Sequence, residues 1–186
     1  MAEMRIHTDA DLSVPEIESI VRLIDRVWPT KDVTYADRLR KFTSWVEENK
    51  RTGFEVMSFV VWDRGQAIAQ ARTFPRLIHS ESVDLTVMGL AGVCVSPERR
   101  REGLGRDIVK KAFERVDAGD FVVSLFQTAV PGFYTKLGAR PVTNRFVNSQ
   151  NSEDPDANPW WDPNIMIYPA SASWPEGTID LNGSGY

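Results

Sequence analysis

The sequence predicts a mixed α/β domain, a mostly antiparallel sheet covered by helices, and three observations carry that reading. Two segments of helical period come early. A meander of apolar, β-rich runs fills the middle. The last third then alternates strand, helix, strand, helix, strand. At 186 residues, with 42% hydrophobic and 26% charged residues, the chain is expected to form one domain over 1–186 with a sizeable core.

The elements follow in order. Met4-Arg5-Ile6-His7 is a first strand, and Ser13-Val14-Pro15-Glu16 is a capping box with proline in the first turn. Ile17, Ile20, Val21, Ile24, Val27 and Trp28 then repeat at helical spacing until Pro29 stops them. Thr34, with Asp37 three residues on, opens a second helix with Leu39, Phe42, Trp45 and Val46 on its apolar side. Residues 55–62 and 67–74 are strands joined by the turn Asp63-Arg64-Gly65. A turn at 79–82 leads into a long strand over 83–95. A helix follows to about Asp117, with Gly119 as its left-handed stop. The apolar run 121–126 is a buried strand, 131–137 a short helix closed by Gly138, and 141–146 a further strand. Residues 147–163 are rich in Pro, Asn, Asp and Ser and are expected to be one long loop. A strand at 165–168 and a tail over 169–186 complete the chain.

The most informative stretch is 88–106, MGLAGVCVSPERRREGLGR. An apolar strand stops at Ser96-Pro97, a basic run follows, and Gly103-Leu104-Gly105 opens a helix. This is an anion site in outline. The first-turn N–H groups of a helix are unpaired, its dipole is positive there, and glycine lets the backbone approach a ligand. Arginines add charge-assisted hydrogen bonds to phosphate oxygens. No GK[ST] follows, so the loop is not a Walker A, and the glycine spacing of the dinucleotide fingerprint is absent.

The loop Arg100-Arg101-Glu102-Gly103-Leu104-Gly105, preceded by Val93-Cys94-Val95-Ser96-Pro97, resembles the acetyl-CoA pyrophosphate loop of the GNAT superfamily of N-acetyltransferases, [QR]-x-x-G-x-[GA]. Phe133-Tyr134-Thr135-Lys136-Leu137-Gly138 is similar to that family's F-Y-x-K-L-G segment. A weaker resemblance, to aminoglycoside 2′-N-acetyltransferases, is carried by Arg76-Leu77-Ile78, by Met166-Ile167-Tyr168-Pro169 and by a short tail ending in an aromatic residue. The resemblance implies a GNAT fold, acetyl-CoA as cosubstrate, and transfer of an acetyl group to a primary amine of a small molecule by direct attack in a ternary complex. It also allows a homodimer.

Carried over by position, Val93, Cys94 and Val95 would offer backbone groups to the pantetheine arm, one N–H polarising the thioester carbonyl. Arg100, Arg101, Glu102, Gly103, Leu104, Gly105 and Arg106 would form the pyrophosphate site. Tyr134 would protonate the departing thiolate. The chain departs from the family at the base, because Ala91 stands where many relatives carry Glu or Asp. Deprotonation would then come through water, from an amine already partly neutral at working pH, or from another carboxylate, with Glu81 and Asp84 near the hairpin, Asp180, and a terminal carboxylate on Tyr186 as the candidates. Trp174-Pro175-Glu176-Gly177, within the tail, is expected either to fold over the acceptor pocket or only to help pack the long loop onto the sheet, and the residues leave both readings open.

Composition narrows the rest. A formal net charge of -4 gives no basic field for nucleic acid or an anionic membrane, and neither is expected as a partner. One cysteine excludes an internal disulfide and fits a reducing cytoplasm. Inside an apolar strand, Cys94 reads as an inert buried thiol rather than a nucleophile. With two histidines besides, no metal site is expected. Two other readings stay open at this point: a non-catalytic acyl-CoA-binding module, which Ala91 favours, and an acetyltransferase acting on proteins or peptides.

Overall fold

The computed structural model describes residues 2–186, and Met1 lies outside the described residues. The chain forms two compact units. One comprises residues up to Phe74 and Ala91–Ala112, the other Pro75–Leu90 and Phe113–Tyr186.

The first unit holds β1 (Glu3–Thr8), α1 (Val14–Val27), α2 (Tyr35–Thr52), β2 (Met57–Asp63) and the larger part of β3 (Gln66–Ser80). It also holds the end of β4 (Asp84–Val95) and most of α3 (Leu104–Asp117). The strand order is β1-β2-β3-β4, with β1–β2 and β2–β3 antiparallel. The caps form as the sequence predicts. Ser13 N and Oγ donate to Glu16 Oε2 at 3.0 and 2.7 Å, and Thr34 Oγ1 accepts from Asp37 N at 3.1 Å. Residues Arg64 and Gly65 both take positive φ (49° and 76°), so the two-residue turn matches the twist of the β2–β3 hairpin. The helices bury Ile17, Ile20, Val21, Leu23 and Val46 against Val60, Trp62, Ala67 and Cys94.

A polar cluster interrupts that core. Arg72 Nη2 donates to Asp9 Oδ1 at 2.7 Å, Asn49 Nδ2 donates to Asp9 Oδ2 at 2.6 Å, and the guanidinium lies 3.8 Å from the Trp45 ring centroid. The pair keeps its charges compensated away from water and fixes α2 to the end of β1.

The second unit contains the other ends of β3, β4 and α3, then β5 (Ser124–Gln127), α4 (Pro131–Thr135), β6 (Arg140–Pro141), β7 (Arg145–Val147), β8 (Ile165–Tyr168) and β9 (Thr178–Asp180). Its strands run β4-β5-β8-β6, with β9 on the end of β3 and β7 on β9. The β4–β5 and β7–β9 pairs are parallel, while β5–β8, β6–β8 and β3–β9 are antiparallel. Its core joins Ile78, Val87, Leu125, Ile167, Ile179 and Leu181.

The mixed, mostly antiparallel α/β class holds in both units. Three details differ from expectation. The strand expected over 141–146 is two short ones, because Val142 N bonds Ile165 O and the Asn144 side chain turns to Pro175 O and Gly177 O. The buried strand begins at Ser124, three residues later than expected, although Val123 O still accepts from Met88 N. The tail contributes β9, which pairs His79 and Ser80 and so carries β3 into the expected turn. Val147 belongs to β7, and residues 148–164 hold no helix or strand.

Candidate functional site

In the first unit, β4 ends where Ser96 N donates to Ile68 O at 2.8 Å, and a single 3-10 turn, Pro97–Arg99, starts the loop. Arg99 braces it. Its Nη1 donates to Asp63 Oδ2 at 2.7 Å and its Nε to Glu102 Oε1 at 2.8 Å. Those two partners raise the Arg99 pKa further above the ordinary guanidinium range. Glu102, expected at the pyrophosphate, accepts from Arg99. Arg101 at φ 71° and Gly103 at φ 85° turn the chain into α3. A Cβ at Gly103 would sit 3.1 Å from the Arg106 guanidinium, so the glycine admits a close approach there.

The first helical bond of α3 runs from Asp107 N to Gly103 O at 3.0 Å. The N–H groups of Leu104, Gly105 and Arg106 precede it and have no intrahelical acceptor. Arg100 and Arg101 are exposed and make no ion pair among the described residues, whereas Arg106 Nε donates to Asp107 at 2.9 Å. Two uncommitted guanidinium groups thus stand beside a helix N-terminus, a combination suited to a doubly charged phosphate ligand.

Just before the loop, Gly92 takes φ 61° within β4, and Gln70 Nε2 donates to its carbonyl at 3.1 Å. Val93 and Val95 are half-buried and Cys94 is buried. Burial pushes the Cys94 thiol up to about 12, against opposing hydrogen bonds from Gln70. A thiol so held carries almost no thiolate near neutral pH. Gln70 went unnoticed in the sequence, although a lone amide among Ile68, Ala69 and Ala71 and glycines inside a strand, Gly89 and Gly92, were both visible signals.

In the second unit, Tyr134 lies on α4 with 5% of its surface exposed. Its ring packs 4.6 Å from Phe126 and 4.9 Å from Phe133, centroid to centroid. Burial raises the phenol well above its ordinary pKa, so it stays protonated, and its hydroxyl makes no hydrogen bond among the described residues. Gly138, at φ 90°, closes the turn behind it against the Tyr168 ring.

Two of the carboxylate candidates, Asp84 and Asp180, meet at His79, which faces Asp180 across the β3–β9 pair. Glu81 is exposed on the β3–β4 turn, and Asp84 Oδ1 is 2.8 Å from His79 Nδ1. Burial would raise the Asp180 carboxyl, but hydrogen bonds from Ser149 and Asn182 and the nearby His79 hold it below the usual range. Tyr186 is anchored at both ends. Its hydroxyl donates to Leu125 O at 2.9 Å, and its main-chain oxygen accepts from Gln127 Nε2 at 2.8 Å. Trp174 lines a groove of about 600 Å³ with Arg140, Asn144, Arg145 and Glu176, and its indole donates to Asn144 Oδ1 at 2.7 Å. Trp160 is buried against Phe146 and Tyr186, whereas Trp161 is exposed. Among the described residues no cluster of His, Cys, Asp and Glu could hold a metal ion, and no helix is long and apolar enough to cross a membrane.

A family model described as an acetyltransferase (GNAT) domain matches residues 11–142. The chain is also similar to solved structures. A GCN5-related N-acetyltransferase from Kribbella flavida shares 21% identity and a TM-score of 0.58 over 75% of this chain and 33% of its own. The chain thus spans about a third of that protein. The GNAT family N-acetyltransferase YhbS of Escherichia coli, solved in complex with CoA, shares 16% identity and a TM-score of 0.63 over 97% of this chain and 89% of its own. ElaA of Escherichia coli shares 20% identity and a TM-score of 0.56 over 90% and 98%. At such identities a common fold is what these likenesses establish. No curated protein matches the chain.

Proposed function

Because the chain belongs to the GNAT acetyltransferase family, we propose that it moves an acetyl group from acetyl-CoA to a primary amine of a small molecule, by direct attack within a ternary complex. One observation carries the cofactor half of this reading: exposed, uncommitted Arg100 and Arg101 beside the unpaired N–H groups that open α3. These groups, with Arg106, fit the pyrophosphate of a coenzyme A thioester. The backbone of Val93, Cys94 and Val95 pairs with the pantetheine amides, and one of its N–H groups steadies the carbonyl oxygen as it becomes an oxyanion.

Tyr134 is the proton donor to the departing thiolate. Its free, protonated hydroxyl suits that role. A direct transfer is favoured over an acyl-cysteine because the chain's single cysteine is buried with its pKa near 12. With Ala91 in place of a carboxylate, the amine loses its proton to water or to a carboxylate, Glu81 on the β3–β4 turn and Asp84 at the start of β4 being the candidates. A polyamine or an aminoglycoside-like molecule is the acceptor class we favour, and the cytoplasm the setting.

The experiment is thiol release from acetyl-CoA by purified protein across aminoglycosides, polyamines and short peptides. Release with small amines supports the reading. Release with peptides alone moves the acceptor to protein. No release, and no rise in melting temperature on adding acetyl-CoA, overturns the cofactor assignment.

A further inference from the structure

Gln70 lies on β3 with 1% of its surface exposed, inside a stretch that is otherwise small and apolar. Its Nε2 donates to Gly92 O at 3.1 Å, and its Oε1 has no hydrogen-bond partner among the described residues. A buried amide that satisfies only its donor side detracts from the stability of the fold. Gly92 is equally unusual. Its φ of 61° kinks β4 within the strand, and a Cβ there would come within 3.2 Å of Gln70 Nε2. The side chain and the kink are therefore fitted to each other.

A trans peptide is planar, and its C=O and N–H point in opposite directions. Holding the Gly92 carbonyl thus sets the direction of the Val93 N–H, which belongs to the same peptide unit. A kink with positive φ would otherwise leave that unit free to rock. The next residues, Val93 to Val95, are those assigned above to pantetheine and the thioester oxygen.

We propose that Gln70 is a positioning residue: by holding the Gly92 carbonyl it aims the Val93 N–H at the acyl-CoA thioester. The inference rests on the acyl-CoA reading of β4. Gln70 touches neither the cosubstrate nor the acceptor and acts through the peptide plane.

The test compares wild type with Gln70→Met, of similar shape without the donor or the unpaired acceptor, and Gln70→His, which keeps a ring N–H donor. Calorimetric binding of acetyl-CoA and of 3′,5′-ADP is measured, since the nucleotide engages the loop and not the pantetheine strand, together with kcat, KM and Tm. The expected result for Gln70→Met is kcat/KM and acetyl-CoA affinity lower by about tenfold, near the worth of one buried hydrogen bond. Its 3′,5′-ADP affinity stays unchanged and its Tm is equal or higher, while Gln70→His recovers part of the loss. Should Gln70→Met bind and turn over acetyl-CoA like the wild type, or lose 3′,5′-ADP in the same proportion, the positioning role is wrong. Should Gln70→Met not fold, the Gln70→His variant decides: a lowered Tm with unaltered acetyl-CoA kinetics marks a purely structural residue, and altered kinetics with normal 3′,5′-ADP binding supports positioning. A wild type that binds 3′,5′-ADP but not acetyl-CoA overturns the functional reading itself, and the inference with it.

Discussion

Arg99 Nη1 donates to Asp63 Oδ2 at 2.7 Å, joining the basic loop to the β2–β3 hairpin, and the same side chain holds Glu102. The loop's shape is thus set from outside the loop. Asp63→Asn removes the anchor's charge without changing its size. We expect the acetyl-CoA KM to rise several-fold with kcat nearly unchanged, because binding residues lose alignment while the reacting groups do not. The Tm should move little, since the pair is partly exposed. A kcat that falls together with kcat/KM would show that the anchor serves the chemistry instead.

Arg100 and Arg101 should behave differently from Arg99. Each is exposed and uncommitted, so alanine at either position removes a ligand contact and leaves the fold intact. Each substitution should weaken binding of acetyl-CoA and of 3′,5′-ADP alike, by about tenfold per charge-assisted hydrogen bond lost. The weakening should shrink at high salt, where the contribution of exposed charges is screened. Calorimetry at two ionic strengths checks both claims, and retained affinity in the double variant would remove the loop from the site.

Tyr134→Phe isolates the proposed acid. The hydroxyl makes no hydrogen bond among the described residues, so its removal should leave the Tm equal or slightly higher. Acetyl-CoA affinity should also persist. The turnover number should drop by about 10²-fold or more, the usual worth of a general acid. An unchanged kcat would reduce Tyr134 to a packing residue between Phe126 and Phe133.

Much of this arrangement is legible in the sequence, because its signals are local. The Ser13–Glu16 and Thr34–Asp37 caps, the stops at Pro29, Gly119 and Gly138, and the basic loop opening α3 are each read within a few residues, and each forms. What escaped depends on register between distant segments. The strand β9 is three residues long and exists only because His79 and Ser80 on one side and β7 on the other offer it edges. Arg72 looks like an exposed polar residue of a strand until Asp9 and Trp45, far away in the chain, enclose it. The Gln70–Gly92 bond likewise needs β3 and β4 aligned before either residue means anything.

The tyrosines give a pH test with a definite sign. Burial raises the phenol pKa of Tyr134 and of Tyr186 above the ordinary 10, and burial together with Asp117 raises Tyr168 to about 12. A folded pKa above the unfolded one favours the fold fully below about pH 10. That contribution is lost as pH rises from there through the folded value. Three of the four tyrosines should therefore stay un-ionised at pH 11 while the protein is native. Phenolate absorbance then reports no more than about one tyrosine, and the rest should ionise together as circular dichroism records unfolding. Absorbance from three or four tyrosines at pH 11, with the fold intact, would contradict the burial described for these side chains.

The tail supplies the last prediction. Gly185 N donates to Pro159 O at 3.2 Å, and a Cβ on Gly185 would stand only 2.3 Å from that same oxygen. Backbone, not a flexible side chain, occupies the space, so Gly185→Ala forces the tail away from the long loop. Displacement there pulls on Tyr186, whose ring packs on Trp160 and whose oxygen is held by Gln127. Gln127 Oε1 in turn accepts from Trp161 N and Asp162 N, so the loop loses an organising contact as well. Overpacking of this kind destabilises by about 1–3 kcal/mol. The exposed neighbour offers the control: Ser184→Ala should change stability by less than about 0.5 kcal/mol. Denaturant melts followed by tryptophan emission separate the two variants. Equal stability would mean that the tail's seat against Pro159 contributes nothing to the second unit.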